Sequence, residues 1–390
     1  MRTFGVRLST ACLSLFVLLN NIAGCPASGD SETNAGLDAG TGTSTGTVGT
    51  GTGTGGGTGT DAGAGSGGAD TKVAPSVPIL FVGSKGGGIL SFRNPAKLDG
   101  NVAPSTRIFG AFNVREDAVG LSVDRAGNLI SMSSDIGIAV FADAESATGD
   151  LTPGRRLTGS DTELTHSSTL NSAMIYDRDA DRVFACNSGA VLVWDSFSSF
   201  GSRENVAPSR IITSPDLKSP RGLALAANGD LYVTATTQVA VFANAAARSG
   251  DIKADRIIRV LDESSVIAGR TITVDTVCVD RADRLYVFDS DPGALIFVLD
   301  NASTLDGVFA PNRTIDIELP QISASSFAPE FFPSAMVIDS NGTGYVSDFG
   351  QDAIRIIPNI GTRNGTLPAE QTIVGSNTHF DEIGGLYLWE

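Results

Sequence analysis

The chain has 390 residues, of which 18% are charged, and carries a formal net charge of −16 at neutral pH. That balance speaks against nucleic acid, whose phosphates need a basic surface, and against a folded surface docking on anionic lipid. Four cysteines make no disulfide framework.

Taken from the start, "MRTFGVRLSTACLSLFVLLNNIAGC" places Arg2 and Arg7 before an apolar run ending at Leu19. The run is short for a bilayer span and reads as a secretory signal over residues 1–24. Ile22-Ala23-Gly24-Cys25 resembles a bacterial lipobox. That resemblance implies cleavage before Cys25 and lipidation of its thiol, which would tether the chain to a membrane. Pro26, where an Asp would signal retention, implies passage to the outer membrane of the cell envelope. Losing residues 1–24 removes two arginines and no acid, which takes the charge from −16 to −18.

From Cys25 to residue 75 the chain reads largely "GTGTSTGTVGTGTGTGGGTGTDAGAGSGG". Almost nothing there can be buried, so a disordered tether is expected, with a root-mean-square reach of roughly 40 Å.

Over residues 76–390 one pattern recurs. A short apolar strand ("GLSVD" at Gly120, "AMIYD" at Ala173, "GLALA" at Gly222, "TVCVD" at Thr276, "AMVID" at Ala335) is followed by a polar turn and a second strand such as "LYVT" at Leu231. A third strand ends on a bulky anchor: Phe92, Phe141, Trp194, Phe242, Leu299 or Ile357. A fourth follows Pro104, Pro153, Pro208, Ala254, Pro311 or Pro368, between 11 and 14 residues after the anchor. Apolar runs of four or five between turn residues mean strands, not helices. Six copies of a four-stranded unit make an all-β, six-bladed β-propeller. The first copy lacks its inner strand, and "GGLYLWE" at Gly384 supplies it, so the last strand closes the ring. Gly100, Gly149, Gly250, Gly307 and Gly365 fall where a left-handed turn is needed. Arg107, Arg156, Arg210, Arg256 and Arg313 open the outer strands, with their charge expected in water.

"GLALAANGDLYVTA" and "AMVIDSNGTGYVSD" resemble NHL repeats, and "PRGLALAANGDLYVT" at Pro220 is the best copy. The resemblance covers residues 76–390 and departs in places: Ala335 replaces Gly, and Asn187 or Ala235 replaces the second Asp. More broadly the chain is similar to six-bladed propellers of the TolB-like class, which mixes lactonases, lyases, sensors and binding scaffolds, so fold alone does not choose a function.

The loops joining second to third strands, and outer to next inner strands, gather on one face. His166 and His379, the only histidines, fall on it. So do Asp289 and Asp348, which end second strands, and Asp381, two residues after His379. With Ser84, Ser133 and Asn187 at equivalent positions, these oxygens would suit Ca²⁺. Gluconolactonase-like propellers use such ligands, whereas a strand-end Asp also commonly caps a turn. "DRDADR" at Asp177 mimics a calcium loop but aligns with the first hairpin of every blade and reads as a turn. Cys186 and Cys278 lie on strands of blades three and five and read as inert thiols. "ELPQISASSFAPEFFPS" carries Phe327, Phe331 and Phe332, either as an exposed contact patch or folded back as a plug. These features favour a lipid-anchored, non-enzymatic envelope propeller that binds a protein or small-molecule ligand on its loop-rich face. The alternative is a calcium-dependent hydrolase or lyase.

Overall fold

The computed structural model describes residues 73–110, 120–133, 137–164, 173–262, 270–289, 295–318, 331–368 and 371–390. The chain divides into two units, 1–64 and 65–390. Residues 1–72, which include the expected signal, Cys25 and most of the expected tether, lie outside the described residues.

The second unit is a six-bladed propeller. Its six inner strands are Ile383–Trp389, Gly120–Val123, Met174–Asp177, Pro220–Leu225, Val274–Val279 and Pro333–Ile338, in blades one to six. Each touches the inner strands of both neighbours, so the ring closes around an axis. The closing strand pairs antiparallel with Ile79–Ser84, from Ile79 opposite Trp389 to Ser84 opposite Ile383, with a bulge between Val82 and Ser84. The expected ring closure therefore holds, and the strand starts one residue earlier than the sequence suggested.

Strand alternation sends successive side chains to opposite faces. Ile79 and Phe81 pack toward blade two, while Leu80 and Val82 pack toward blade six. Six apolar clusters result, one between each pair of consecutive blades. Every third-strand anchor is buried and faces the preceding blade, as Phe242 does against Phe184 and Val191 of blade three. Burying a side chain of that size contributes about 1.5–3 kcal/mol, so the anchors hold each blade to its predecessor.

The four strands expected of each blade are present, and every blade but the sixth carries a further edge strand. The segment between third and outer strands reaches back and lays a short parallel strand on the outer edge of the preceding blade. Gly149–Asp150 pairs with blade one, Arg203–Glu204 with blade two, Gly250–Asp251 with blade three, Gly307–Phe309 with blade four and Gly365–Pro368 with blade five. Around the closure Gly100 makes the matching bridge to Ile373. An outer edge left bare would present unpaired N–H and C=O groups; here each is partly covered by the next repeat. Gly250 has φ +83° and no atom within 4 Å of the position a Cβ would take, so conformation, not crowding, favours glycine there. The excursion starts with a left-handed residue, Asn94, Asp143, Ser196, Asn244, Asn301 or Asn359, at φ between +48° and +60°. Asn and Asp tolerate that region best among residues with a side chain.

The outer-strand arginines do not point freely into water. Arg256 binds Asp230 at 2.7 Å and the carbonyls of Ala302 and Leu305 in the next blade. Arg210 and Arg313 pair with Asp195 and Asp300. A guanidinium offers five donors in a fixed fork, so one side chain satisfies an acid and the next blade's carbonyls together.

Candidate functional site

Each blade has two ends. At the turn end the first hairpin closes on an aspartate. Asp280 accepts the N–H groups of Ala282 and Arg284, the Arg284 side chain at 2.7 Å and the Tyr286 hydroxyl at 2.9 Å. Asp339 repeats this with Asn341, Thr343 and Tyr345. Burial and the neighbouring carboxylates push the Tyr286 and Tyr345 hydroxyls well above the usual phenol range. Asp177 caps "DRDADR" through the N–H groups of Asp179 and Ala180, so that segment is the turn the sequence indicated.

The loop end differs from blade to blade, and the candidate residues fall here. Asp348 is fully buried. One of its oxygens accepts the Arg355 guanidinium at 2.7 and 3.1 Å, the other the N–H of Phe332 at 3.2 Å. Arg355 is itself buried and also reaches Thr372. Asp348 therefore anchors a loop and neutralises a cation. Arg355 follows from no sequence signal beyond its place in the apolar strand "AIRII".

Asp289 is buried, with its backbone N–H bonded to Leu295 O at 3.1 Å. Ser84 holds the segment around Asp381, donating to its carbonyl and accepting its N–H, both at 2.9 Å. Asn187 donates to Glu163 O. His379 is exposed, left-handed at φ +59°, and places Nδ1 3.3 Å from an Arg107 nitrogen. Asp381 is exposed and packs on Gly86. His166 lies outside the described residues, so no pairing with His379 is described. Among the described residues no group of three or more His, Cys, Asp or Glu is placed to hold a metal ion.

Of the three phenylalanines, Phe327 lies outside the described residues. Phe331 is buried among Tyr286, Phe288 and Met336 between blades five and six, which removes it from an exposed patch and makes it core. Phe332 is 37% exposed and has a neighbour the sequence did not single out, Phe349, at 42%. The Phe349 N–H donates to Phe332 O at 2.8 Å. In blade six Pro333, Asp348, Ala353 and Val374 form one row across the sheet, and Val374 is also exposed, at 38%. Phe332, Phe349 and Val374 are thus exposed apolar residues at the loop end of this blade, where buried Asp348 pairs with Arg355 and holds the Phe332 N–H. Beside them stand Asp352, Asp381 and Glu382. Burial raises the Asp352 carboxyl above its ordinary range, with Asp381 and Glu382 adding to the effect.

Cys186 and Cys278 are free thiols on the expected strands. Burial, with Asp280 nearby, pushes Cys278 up to about 12, so it stays protonated at neutral pH.

No protein-family model matches this chain, and no curated protein matches it. Among solved structures it is similar to a protein of unknown function from Bacteroides caccae, at 12% identity, 81% of this chain, 100% of the other and a TM-score of 0.47. It is also similar to the WD40 domain of Toxoplasma gondii coronin, at 14% identity, 78% of this chain, 70% of the other and a TM-score of 0.44. The propeller assignment rests on the strand order and ring closure described above. Such a fold is consistent with a binding or interaction module.

Proposed function

We propose that this chain is a lipid-anchored module of the cell envelope that captures a protein partner on the loop end of its propeller. The carrying observation is the exposed Phe332–Phe349 pair, held by backbone hydrogen bonds and by a buried ion pair beneath it. Exposed aromatics on rigid backbone bind at low ordering cost and are favoured at the centres of interfaces. The acids beside them, on a chain of net charge −16, fit a partner that offers an apolar residue ringed by Lys or Arg. The lipobox-like segment at Cys25 and the Gly/Thr-rich tether supply the envelope reading. The first described residue, Val73, donates its N–H to the Arg125 carbonyl at the turn end of blade two.

The test is crosslinking and pull-down from envelope fractions with the wild-type chain and a Phe332→Ser/Phe349→Ser variant. The expected result is a partner captured by the wild type, lost from the variant and weakened by added salt, with the melting temperature nearly unchanged. Equal capture by both proteins would refute the assignment of the site. A Cys25→Ala variant that still fractionates with membranes would refute the anchor.

A further inference from the structure

The axial channel encloses about 510 Å³, within the size range of small-molecule sites. Its walls expose polar and apolar surface in about equal parts, with Leu121, Met174, Val277, Met336 and Leu386 among the apolar residues. The charged residues that line it are Arg178, Arg221, Arg281 and Glu390, a cationic excess inside an acidic protein. Arg221 pairs with Asp275 at 2.6 Å, and Arg281 with Glu390 at 3.5 Å. Arg178 has no carboxylate partner in the ion pairs of the described residues. Its terminal nitrogen donates to Val73 O at 3.0 Å, while its Nε is buried with no acceptor. Nearby Asp177 and Asp280 are engaged by their own turns.

The indole Nε1 of Trp389, whose side chain packs between blades one and two, is likewise buried without an acceptor. The Tyr387 hydroxyl lies beside Arg178 and Ser122; burial raises it, and both neighbours draw it back. Leaving a buried donor unmet costs about 1–3 kcal/mol. An anion relieves such donors most effectively, because hydrogen bonds to a charged acceptor are the stronger kind. One guanidinium without a carboxylate partner in the ion pairs of the described residues balances one negative charge, and the apolar part of the wall offers contact to a hydrocarbon body.

We propose that the axial channel is a second ligand site, independent of the loop end, which takes a small monocarboxylate with an apolar body and seats its carboxylate on Arg178 near Tyr387. The probe is octanoate against its neutral analogue octanamide, with thermal melting and tryptophan fluorescence as readouts, since Trp389 lines the channel. Octanoate at a hundredfold excess over its Kd is expected to raise the Tm by about 5 °C and to shift the emission, while octanamide does neither. Arg178→Met should weaken octanoate at least about tenfold. Should that variant fail to fold, Tyr387→Phe serves in its place, with an expected loss of several-fold. The Phe332→Ser/Phe349→Ser variant should bind octanoate normally, which separates this site from the loop-end reading. No stabilisation by octanoate, equal stabilisation by octanamide, or unchanged affinity in the folded channel variant would overturn the proposal.

Discussion

The two ends of the blades solve different problems with the same residue type. At the turn end aspartates recur in register, and Asp124, Asp177, Asp280 and Asp339 each cap their own hairpin through backbone N–H groups. At the loop end Asp348 is spent on Arg355 and on the Phe332 N–H instead of on its own hairpin. Repetition at one end marks architecture. Divergence at the other marks the surface on which this propeller differs from a bare ring.

Breaking each end in turn sharpens the contrast. Asp348→Ala strands a buried guanidinium and should cost about 3–5 kcal/mol in chemical denaturation. The paired change Asp348→Leu/Arg355→Met should recover most of that loss, because an apolar pair replaces a buried ionic one at little cost. Asp280→Ala leaves the Tyr286 hydroxyl and two turn N–H groups unmet, and the expected loss is smaller, about 2 kcal/mol. Gly250→Ala probes the parallel fifth strand; the space is open but the backbone is left-handed, so about 1 kcal/mol should be lost.

The smallest effect is the pH response, and it has opposite signs at the two ends. Arg210 holds Asp195, and Arg313 holds Asp300, below the ordinary carboxylate value. These third-strand acids at the turn end therefore contribute stability that is present above the unfolded pKa of about 3.9 and fades as pH falls through their depressed folded values. Asp352 at the loop end is raised by burial, so its unfavourable contribution is present at neutral pH and is relieved on acidification. Side-chain carboxyl titration by NMR should put the midpoints of Asp195 and Asp300 below that of Asp352. The reverse order would contradict the assigned environments.

The blade count, the closing strand, the anchors and the turn at Asp177 were readable because each rests on period-two alternation or on turn chemistry, both local and repeated. The parallel fifth strands are not legible in the sequence because a two-residue pairing such as Gly250–Asp251 with Ile212–Thr213 leaves no hydrophobic pattern. The outer arginines read as solvated because sequence does not show the acids that meet Arg210 and Arg313 or the next blade's carbonyls that meet Arg256. Phe331 and Phe332 adjoin in sequence yet face core and solvent, a split decided by the row that Pro333 and Asp348 define. The channel residues Arg178 and Tyr387 come together from blades three and one, a juxtaposition that only ring closure creates.

That closure supports every other placement, and one deletion tests it. Removing residues 383–390 takes away the inner strand of blade one, bares the edge of Ile79–Ser84 and opens the interfaces with blades two and six. The account predicts loss of a single cooperative melting transition and aggregation of the truncated chain. A soluble truncated protein that melts cooperatively within a few degrees of the full chain would contradict it.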